Sequence, residues 1–283
     1  MNYRHAFHAG NFADVMKHTL LTRILTHLAH KDAPFFVLDT HGGIGLYDLA
    51  ADEATRTGEW LRGVGLMAAP FSDEVEALLA PWRAALAQTR RRHGPDALPG
   101  SPLIVGEMLR PGDRALAIEL HPADHELLKE ALQPVPGVRA LHLDGWTALN
   151  ANIPPKERRG LVLVDPPYEK PGELLFAVDQ LTRALRKWST GIMALWYPVK
   201  DRATVDEAAA RLRASGLRKL LRLELYIDRH GPPDRLNGSG LIIANPPWLL
   251  HEEARILLPA LAGRLAPDGR GGASCTWIAG ETD

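Results

Sequence analysis

The chain has 283 residues and a net charge of −1 at pH 7, without the excess positive charge that is typical of nucleic-acid-binding proteins. Its 46% apolar and 24% charged residues are typical of a globular protein, and its single cysteine excludes an internal disulfide framework and a thiol-rich metal site. No apolar stretch reaches the ~18 residues that a membrane span needs, and the polar, histidine-rich N-terminus is unlike a signal peptide, so we expect a cytoplasmic protein.

Strand and helix patterns alternate along the chain after a first helix, which is predicted over residues 12–30. Predicted strands cover 35–39, 115–119, 138–143, 161–164, 192–197, 219–227 and 240–244, and the main predicted helices cover 54–66, 73–91, 101–109, 123–132, 173–187 and 202–214. This alternation predicts an α/β fold with a doubly wound, mostly parallel sheet. Residues 50–98 are predicted as a helical insertion that ends in a loop at 93–100. The last two strands have no helix between them, which predicts one antiparallel strand at the edge.

Acidic residues end or follow four successive predicted strands, at Asp39, Glu119, Asp144 and Asp165. Ligands of such sheets lie across the carboxyl ends of the strands, so we expect these carboxylates to surround one site. Glu119 is placed to accept hydrogen bonds from ribose hydroxyl groups. Asp144 is placed to accept from an adenine amino group, while the following Gly145 keeps the neighbouring backbone close to the ring.

The turn after the first strand, THGGIG at residues 40–45, contains Gly43 and Gly45, which would let the backbone approach a ligand without a Cβ in the way. It lacks the glycine spacing of pyrophosphate-binding loops. An acid-lined rim also suits a positively charged ligand better than a polyphosphate. The pattern therefore predicts a cationic cofactor that carries a nucleoside.

The segment VDPPYE, residues 164–169, follows a buried strand and raises the question of its two prolines. Proline has a fixed φ and no N–H group, so Pro166 and Pro167 would end the strand and stiffen the turn. The Asp165 carboxylate and the Pro166 carbonyl then become two fixed acceptors beside the ring of Tyr168. This arrangement suits a planar NH2 group, and it would help the nitrogen to attack an electrophile by positioning it and stabilising its developing positive charge.

A second proline pair occurs in ANPPW, residues 244–248, after another apolar strand. Asn245 has no net charge to oppose a developing ammonium, and its strand is predicted to be the last of the sheet, beyond the site. Trp248 precedes two leucines, which suggests a packed corner. We therefore predict a structural turn here, and we also predict that Trp196 and Tyr197 serve in packing.

DPPY after a strand resembles motif IV of S-adenosylmethionine-dependent amino-methyltransferases, which modify adenine N6, cytosine N4 or a glutamine amide. Nine segments narrow the resemblance to the 23S ribosomal RNA adenine-N6 methyltransferase family often called RlmJ. They are YRHAFHAGNFADVMKH (3–18), LDTHGGIG (38–45), PGSPLI (99–104), ELHP (119–122), DG (144–145), RRGLVLVDPPYE (158–169), ALWYPV (194–199), SG (239–240) and NPPW (245–248). These segments follow the family order and cover nearly the whole chain.

The resemblance implies a Rossmann-like class I methyltransferase domain over residues 1–283. The inserted helical subdomain would be 50–98, and the N-terminal motif and helix, 1–30, would cover the active site. The catalytic residues would be Asp165, Pro166 and Tyr168. The cofactor site would comprise Lys17, His18, His41, Gly43, Ser101, Glu119, Asp144, Gly145 and Asp165, with Lys17 near the methionine carboxylate of the cofactor. Tyr3 and His5 would lie at the RNA-facing mouth.

The implied reaction is methyl transfer from S-adenosyl-L-methionine to the N6 amine of a specific adenine in 23S rRNA, with S-adenosyl-L-homocysteine as product. The substrate would be free rRNA or an assembly intermediate, and the enzyme would act as a monomer without a metal or a membrane. The clustered N-terminal histidines lack the partners of a metal site. A DNA adenine-N6 or protein-glutamine methyltransferase stays open as an alternative, as does a silent methyltransferase-fold RNA-binding assembly factor.

Overall fold

An eight-stranded sheet is at the centre of the computed structural model, which describes residues 4–232 and 235–281. Its strands are β1 (Phe35–Asp39), β4 (Arg114–Glu119), β5 (Val138–His142), β6 (Arg159–Val164), β7 (Ile192–Val199), β8 (Leu220–Tyr226), β9 (Gly238–Ala244) and β10 (Gly272–Ala279), and a separate pair comprises β2 (Leu46–Asp48) and β3 (Ala97–Pro99). The helices are α1 (Phe12–Ala29), α2 (Asp52–Thr57), α3 (Asp73–His93), α4 (Ser101–Met108), α5 (Pro122–Leu132), α6 (Gly145–Asn152), α7 (Glu173–Lys187), α8 (Arg202–Ala214) and α9 (Leu250–Leu265).

The strand order is β10-β8-β9-β7-β6-β1-β4-β5. Strands β7, β6, β1, β4 and β5 are mutually parallel, so all five carboxyl ends meet at one edge of the sheet. The chain proceeds from β1 to β4 and β5 on one side and then returns to β6 on the other. The topological switch point, where such sheets bind ligands, therefore lies between β1 and β6. The predicted α/β fold with a doubly wound, mostly parallel sheet is confirmed.

The prediction of one antiparallel edge strand is wrong. Strand β9 lies between β7 and β8 and is antiparallel to both, and β10 pairs antiparallel with β8 at the edge. Neither β10 nor α9 was predicted from the sequence. The first six residues of β10 are only partly buried or exposed, so it lacks the apolar run that marks a strand with two covered faces.

The helical insertion also differs in detail from its prediction. The helix predicted at 54–66 breaks at Gly58, which has a left-handed φ of 61°, and 3₁₀ turns follow at Glu59–Arg62 and Val64–Ala68. The loop predicted at 93–100 contains β3, which pairs with β2 and so closes the base of the insertion. Side chains of α3 then enter the same apolar core as those of α1.

Helix α1 is buried nearly all round, although it carries several polar side chains. Asn11 caps it by accepting hydrogen bonds from the N–H groups of Ala13 and Asp14, at 2.9 and 3.1 Å. Arg23 makes a two-bond ion pair with Glu253 of α9, at 2.6 and 2.9 Å. Unpaired buried charges are costly, so the charged residues of α1 need partners, and those of Asp14 and Lys17 lie in the cleft described next.

Candidate active site

A cleft of about 1830 Å³ opens at the carboxyl ends of the parallel strands. Its lining includes every predicted site residue that the structure describes, namely His5, Lys17, His18, His41, Gly43, Ser101, Glu119, Asp144, Gly145, Asp165, Pro166 and Tyr168. The remaining predicted residue, Tyr3, lies outside the described residues. Pockets for single small molecules usually measure about 300–1,000 Å³, so this cleft has room for a cofactor and a nucleotide together.

Glu119 joins the end of β4 to the glycine turn after β1. Its Oε2 accepts a hydrogen bond from the N–H of Gly43 at 3.0 Å, and its Oε1 accepts one from the N–H of His121 at 2.7 Å. Burial raises the pKa of Glu119 above its ordinary value. Each oxygen keeps further acceptor capacity, which is the property needed to bind a pair of ribose hydroxyl groups.

Asp144, which is predicted to accept a hydrogen bond from an adenine amino group, also stabilises the local fold. Its Oδ1 caps α6 by accepting from the N–H and the hydroxyl of Thr147, at 2.8 and 2.9 Å. The next residue, Gly145, packs against the turn after β1, where a Cβ would lie 2.3 Å from the carbonyl oxygen of Thr40. No side chain fits at this position, so β1 and α6 approach each other as bare backbone.

The two histidines of the predicted cofactor site are neutral at physiological pH. Burial lowers the pKa of both His18 and His41 to about 4. His41 Nδ1 lies 2.8 Å from the hydroxyl of Thr40, and its ring meets Trp146 edge-on, with centroids 5.6 Å apart. These imidazoles therefore add no positive charge to the cleft.

Asp39, at the end of β1, keeps one carboxylate oxygen without a hydrogen-bond partner among the described residues. Its Oδ1 accepts from the N–H of His41 at 3.3 Å, whereas its buried Oδ2 accepts from none of the described groups. Burial raises the pKa of Asp39 to about 6. Ser101, which lines the cleft, opposes this rise in pKa, whereas Asp39 itself is not among the lining residues.

Lys17 lies between two carboxylates at the centre of the site. Its Nζ contacts Oδ2 of Asp165 and lies 3.0 Å from Oδ1 of Asp14. Burial lowers the pKa of Lys17, but the charges of Asp165 and Asp14 outweigh burial and raise it well above the ordinary value. Two carboxylates against one ammonium leave this centre with a net negative charge, which favours a cationic ligand.

Asp14 was not among the predicted site residues. It is 3% exposed, and its Oδ2 lies 2.9 Å from His5 Nε2 and accepts from the N–H of Gly10 at 2.9 Å. Although burial opposes ionisation, His5 and Lys17 hold the pKa of Asp14 well below its ordinary value. The available sequence signal was the spacing of Asp14 and Lys17, which places them on one face of a helix.

The proline turn after β6 opens into the same cleft. Pro166 is buried and Asp165 is partly exposed. Tyr168 has a left-handed φ of 52°, and its hydroxyl donates to the carbonyl oxygen of Trp196 at 2.5 Å. Burial raises the pKa of Tyr168 well above its ordinary value, so the phenol stays neutral. A strained, fixed tyrosine beside a partly exposed carboxylate is typical of a functional turn.

The second proline turn lies at the amino ends of the parallel strands, opposite to the end where the cleft opens. Because β9 is antiparallel to β7, Ala244 pairs with Met193 at the amino end of β7. Asn245 there donates from Nδ2 to the carbonyl oxygens of Ser189 and Gly191, both at 2.9 Å. These contacts favour the predicted structural role, but the predicted packed corner is wrong because Trp248 is 85% exposed.

The prediction of a packing role holds for Tyr197, which is fully buried, but is incomplete for Trp196. The indole of Trp196 donates to the hydroxyl of Ser239 at 2.9 Å, and its ring lines the cleft. Lys17 Nζ lies 5.8 Å from the centre of that ring, and the rings of Tyr168 and Trp196 meet edge-on at 5.7 Å. Trp196 is therefore part of the site.

The N-terminal histidines contact carboxylates. His8 Nδ1 lies 3.0 Å from Glu59, and His27 Nε2 lies 3.2 Å from Glu253. Within residues 4–232 and 235–281, no group of three or more His, Cys, Asp or Glu side chains is arranged to hold a metal ion. In the same ranges, no helix has the length and apolar character needed to cross a membrane.

Comparison with known proteins identifies the family. Residues 32–279 match the family model described as ribosomal RNA large subunit methyltransferase D, RlmJ. The chain belongs to this family. It is 40% identical to ribosomal RNA large subunit methyltransferase J of Escherichia coli (strain K12) and 38% identical to the protein of that name from Haemophilus influenzae (strain ATCC 51907 / DSM 11121 / KW20 / Rd). Both alignments cover 99% of this chain and the whole of the relative.

A solved structure has the same fold. The protein LPL1258 from Legionella pneumophila str. Philadelphia 1 superposes with a TM-score of 0.85 at 33% identity, over 95% of this chain and 98% of that one. Family membership confirms the predicted family and the predicted enzyme class, an rRNA methyltransferase. It also supports S-adenosylmethionine as the methyl donor. The roles of individual cleft residues are inferred from their geometry.

Proposed function

We propose that the protein transfers a methyl group from S-adenosyl-L-methionine to the N6 amine of an adenine in 23S rRNA. The observation that carries this proposal is the placement of Asp165. Its carboxylate lies on a proline-fixed turn at the switch point, in the same cleft as Glu119 and Asp144. The carboxylate that would accept hydrogen bonds from the target amine thus lies beside other carboxylates, which suit a positively charged cofactor that carries a nucleoside.

The residues of the β1–β4–β5 half fit the cofactor. Glu119 would bind the ribose hydroxyl groups and Asp144 the adenine amine, while His18, His41, Gly43, Ser101 and Gly145 shape the surrounding wall. Neutral histidines beside the carboxylates of Glu119 and Asp144 leave this half negative, which suits a sulfonium. When bound, the cofactor supplies an electrophilic methyl group.

The β6–β7 half fits the target base. Asp165 and the Pro166 carbonyl would accept hydrogen bonds from the N6 amine, and Tyr168 would stack on the ring. Extruding a paired base costs a few kcal/mol, and stacking of the base on an aromatic ring offsets roughly 1–3 kcal/mol of that cost. Asp165 has a second oxygen that can accept from the amine while Oδ2 contacts Lys17, whose ammonium has three donors and can bind a further ligand. The carboxylate of the cofactor is the partner that we propose for it.

The remaining predictions form part of the same proposal. Tyr3 and His5 would contact the RNA, and His5 is already held by Asp14 at the cleft. The insertion at 50–98 and the N-terminal segment 1–30 would cover the site within a single methyltransferase domain. The enzyme would act on free rRNA or an assembly intermediate, as a monomer in the cytoplasm.

Replacement of Asp165 tests this proposal. We expect Asp165→Ala to reduce methyl transfer to in vitro transcribed 23S rRNA by at least a thousandfold, because the amine loses its charged acceptor. The readout is transfer of a tritiated methyl group, with mass-spectrometric mapping of N6-methyladenine. Asn245→Ala changes the corresponding residue of the second proline turn and should retain transfer per folded molecule.

Binding of S-adenosylhomocysteine, measured by calorimetry, should persist in Asp165→Ala. Substantial methylation by that variant would refute the role of Asp165. Transfer by the wild-type protein to duplex DNA or to a glutamine-containing peptide, without transfer to 23S rRNA, would favour the other amino-methyltransferase classes. Cofactor binding without any transfer would favour a silent RNA-binding module.

A further inference from the structure

The electrostatics of the cleft pose a problem for an RNA substrate. The chain has a net charge of −1, and the floor of the cleft is lined by Asp14, Glu119, Asp144 and Asp165. A polyanion approaching these carboxylates would be repelled unless positive charge lies closer to the mouth. Proteins that bind nucleic acids gain much of their affinity by neutralising phosphates with lysine and arginine.

Exposed cations also line this cleft. Lys170 follows the proline turn of β6, Lys200 follows the last residue of β7, and Arg235 precedes β9. Strands β6, β7 and β9 are neighbours, whereas Glu119 and Asp144 belong to β4 and β5 beyond the switch point. A fourth cation, Arg62, comes from the insertion. The cleft lining therefore carries exposed cations among its acids, which include Glu169 and Glu173 close to Lys170.

These four cations differ from the other basic residues of the cleft. All four are exposed, and none makes an ion pair with any residue in the described part of the chain. By contrast, Arg4 lies 3.5 Å from Asp124, and Arg270 pairs with both Asp228 and Asp268. An exposed cation without a carboxylate partner keeps its full charge for a ligand.

We propose that Arg62, Lys170, Lys200 and Arg235 form a cationic rim that binds the RNA sugar-phosphate backbone on either side of the target adenosine. This inference rests on the proposed function and adds to it the path of the RNA chain across the cleft. The rim holds the strand across the β6–β7–β9 half, so that one base descends toward Asp165 and Tyr168. The phosphates then stay clear of the acids of the cofactor half.

The test compares two fourfold variants of the full chain. The rim variant carries Arg62→Gln, Lys170→Gln, Lys200→Gln and Arg235→Gln. The matched control carries Arg139→Gln, Arg183→Gln, Arg186→Gln and Arg218→Gln, which remove four exposed cations that lie outside the cleft. Filter binding to in vitro transcribed 23S rRNA is measured at several salt concentrations, with calorimetry of S-adenosylhomocysteine as the folding and cofactor control.

The rim variant should lose roughly tenfold or more in RNA affinity. The slope of log affinity against log salt concentration should become shallower by ~3, because each of the four phosphate contacts contributes ~0.7–0.9 to its size. The control variant should keep the wild-type slope, and both should bind S-adenosylhomocysteine normally. An unchanged slope in the rim variant, or an equal loss of RNA affinity in the control variant, overturns the proposed rim. If the wild-type protein still methylates the RNA, the proposed function stands in either case. A wild-type protein that neither binds nor methylates the RNA overturns both.

Discussion

Asp14 connects three groups of the cleft through one buried side chain, since it contacts His5, the backbone at Gly10 and Lys17. Asp14→Asn keeps the size of the side chain but removes the charge that positions Lys17 and His5. We expect kcat for rRNA methylation to fall at least tenfold, with a much smaller change in the KM for S-adenosylmethionine. Steady-state kinetics per folded molecule measure this split.

Asp113→Asn is a matched control for Asp14→Asn, because Asp113 is also a buried, paired aspartate but lies at the amino end of β4, outside the cleft. It should lose stability without losing kcat. If the two variants lose kcat equally after correction for the folded fraction, Asp14 acts only through stability.

Asp39 makes the stability of the free protein depend on pH. Burial raises its pKa from an ordinary value of 3.8 to about 6, so the folded state holds this proton more tightly than the unfolded state. The contribution of Asp39 to stability therefore falls as pH rises from about 4 to about 6 and stays low above that range. Asp39→Asn should match the wild type near pH 4 and be more stable by ~3 kcal/mol at pH 7.5.

Urea unfolding at both pH values checks this prediction. Asp113→Asn should show the opposite sign, because Arg110 holds the pKa of Asp113 below its ordinary value despite burial. Its stabilising contribution is present above pH ~4 and is lost in the amide variant. A stability difference for Asp39→Asn that does not change with pH would contradict the assigned ionisation.

The predictable residues of the site were those that follow strands. Glu119, Asp144 and Asp165 were found because apolar runs locate strand ends, and parallel strands gather those ends at one edge. Asp14 and Trp196 could not be found in this way. The spacing of Asp14 and Lys17 places both on one face of α1, but it does not show that this face meets Trp196 and the cleft. That meeting depends on how α1 packs across the sheet, which is set by contacts distant in sequence.

At the scale of elements, the turn at Asn245 offers a direct contrast with the turn at Asp165. Asn245 has a left-handed φ of 51° and binds two carbonyl groups through its amide. Asn245→Ala should reduce the free energy of unfolding by about 2 kcal/mol, because it leaves two carbonyls without this donor and strains the backbone. Urea titration should show the loss while methyl transfer per folded molecule is retained.

Asn245→Gly separates the two causes, since glycine adopts positive φ without strain but cannot replace the hydrogen bonds. Its loss should be smaller than that of the alanine variant. A large fall in methyl transfer by either correctly folded variant would contradict the structural role of this turn.

Long elements with strong periodicity were predictable, and short or exposed ones were not. Helix α7 and strand β6 match their predicted positions within two residues, because each presents a clear apolar pattern. The break at Gly58, the β2–β3 pair and β10 depend on backbone conformation or on partners far along the chain. No local pattern indicated the antiparallel direction of β9 either. This direction is what places the two proline turns at opposite ends of the strands.

At the scale of the whole molecule, net charge was a poor guide to the partner. The charge is close to zero because acids and bases balance over the chain, whereas the cleft lining includes four exposed cations that have no ion-pair partner in the described part of the chain. The basic run at Arg90–Arg92 lies in α3, away from the cleft lining. The cations of the rim are single residues in four separate segments, so only the three-dimensional structure brings them together.

The carboxylates of the proposed cofactor site have a consequence for turnover. Loss of its methyl group turns the positively charged sulfonium into an uncharged thioether, so the carboxylates that attract the donor lose their counter-charge in the product complex. Added salt should therefore weaken binding of S-adenosylmethionine more than binding of S-adenosylhomocysteine, and calorimetry at two ionic strengths would detect the difference. Equal weakening would mean that these carboxylates do not sense the charge. We therefore expect the proposed site to bind the spent cofactor less tightly than the donor.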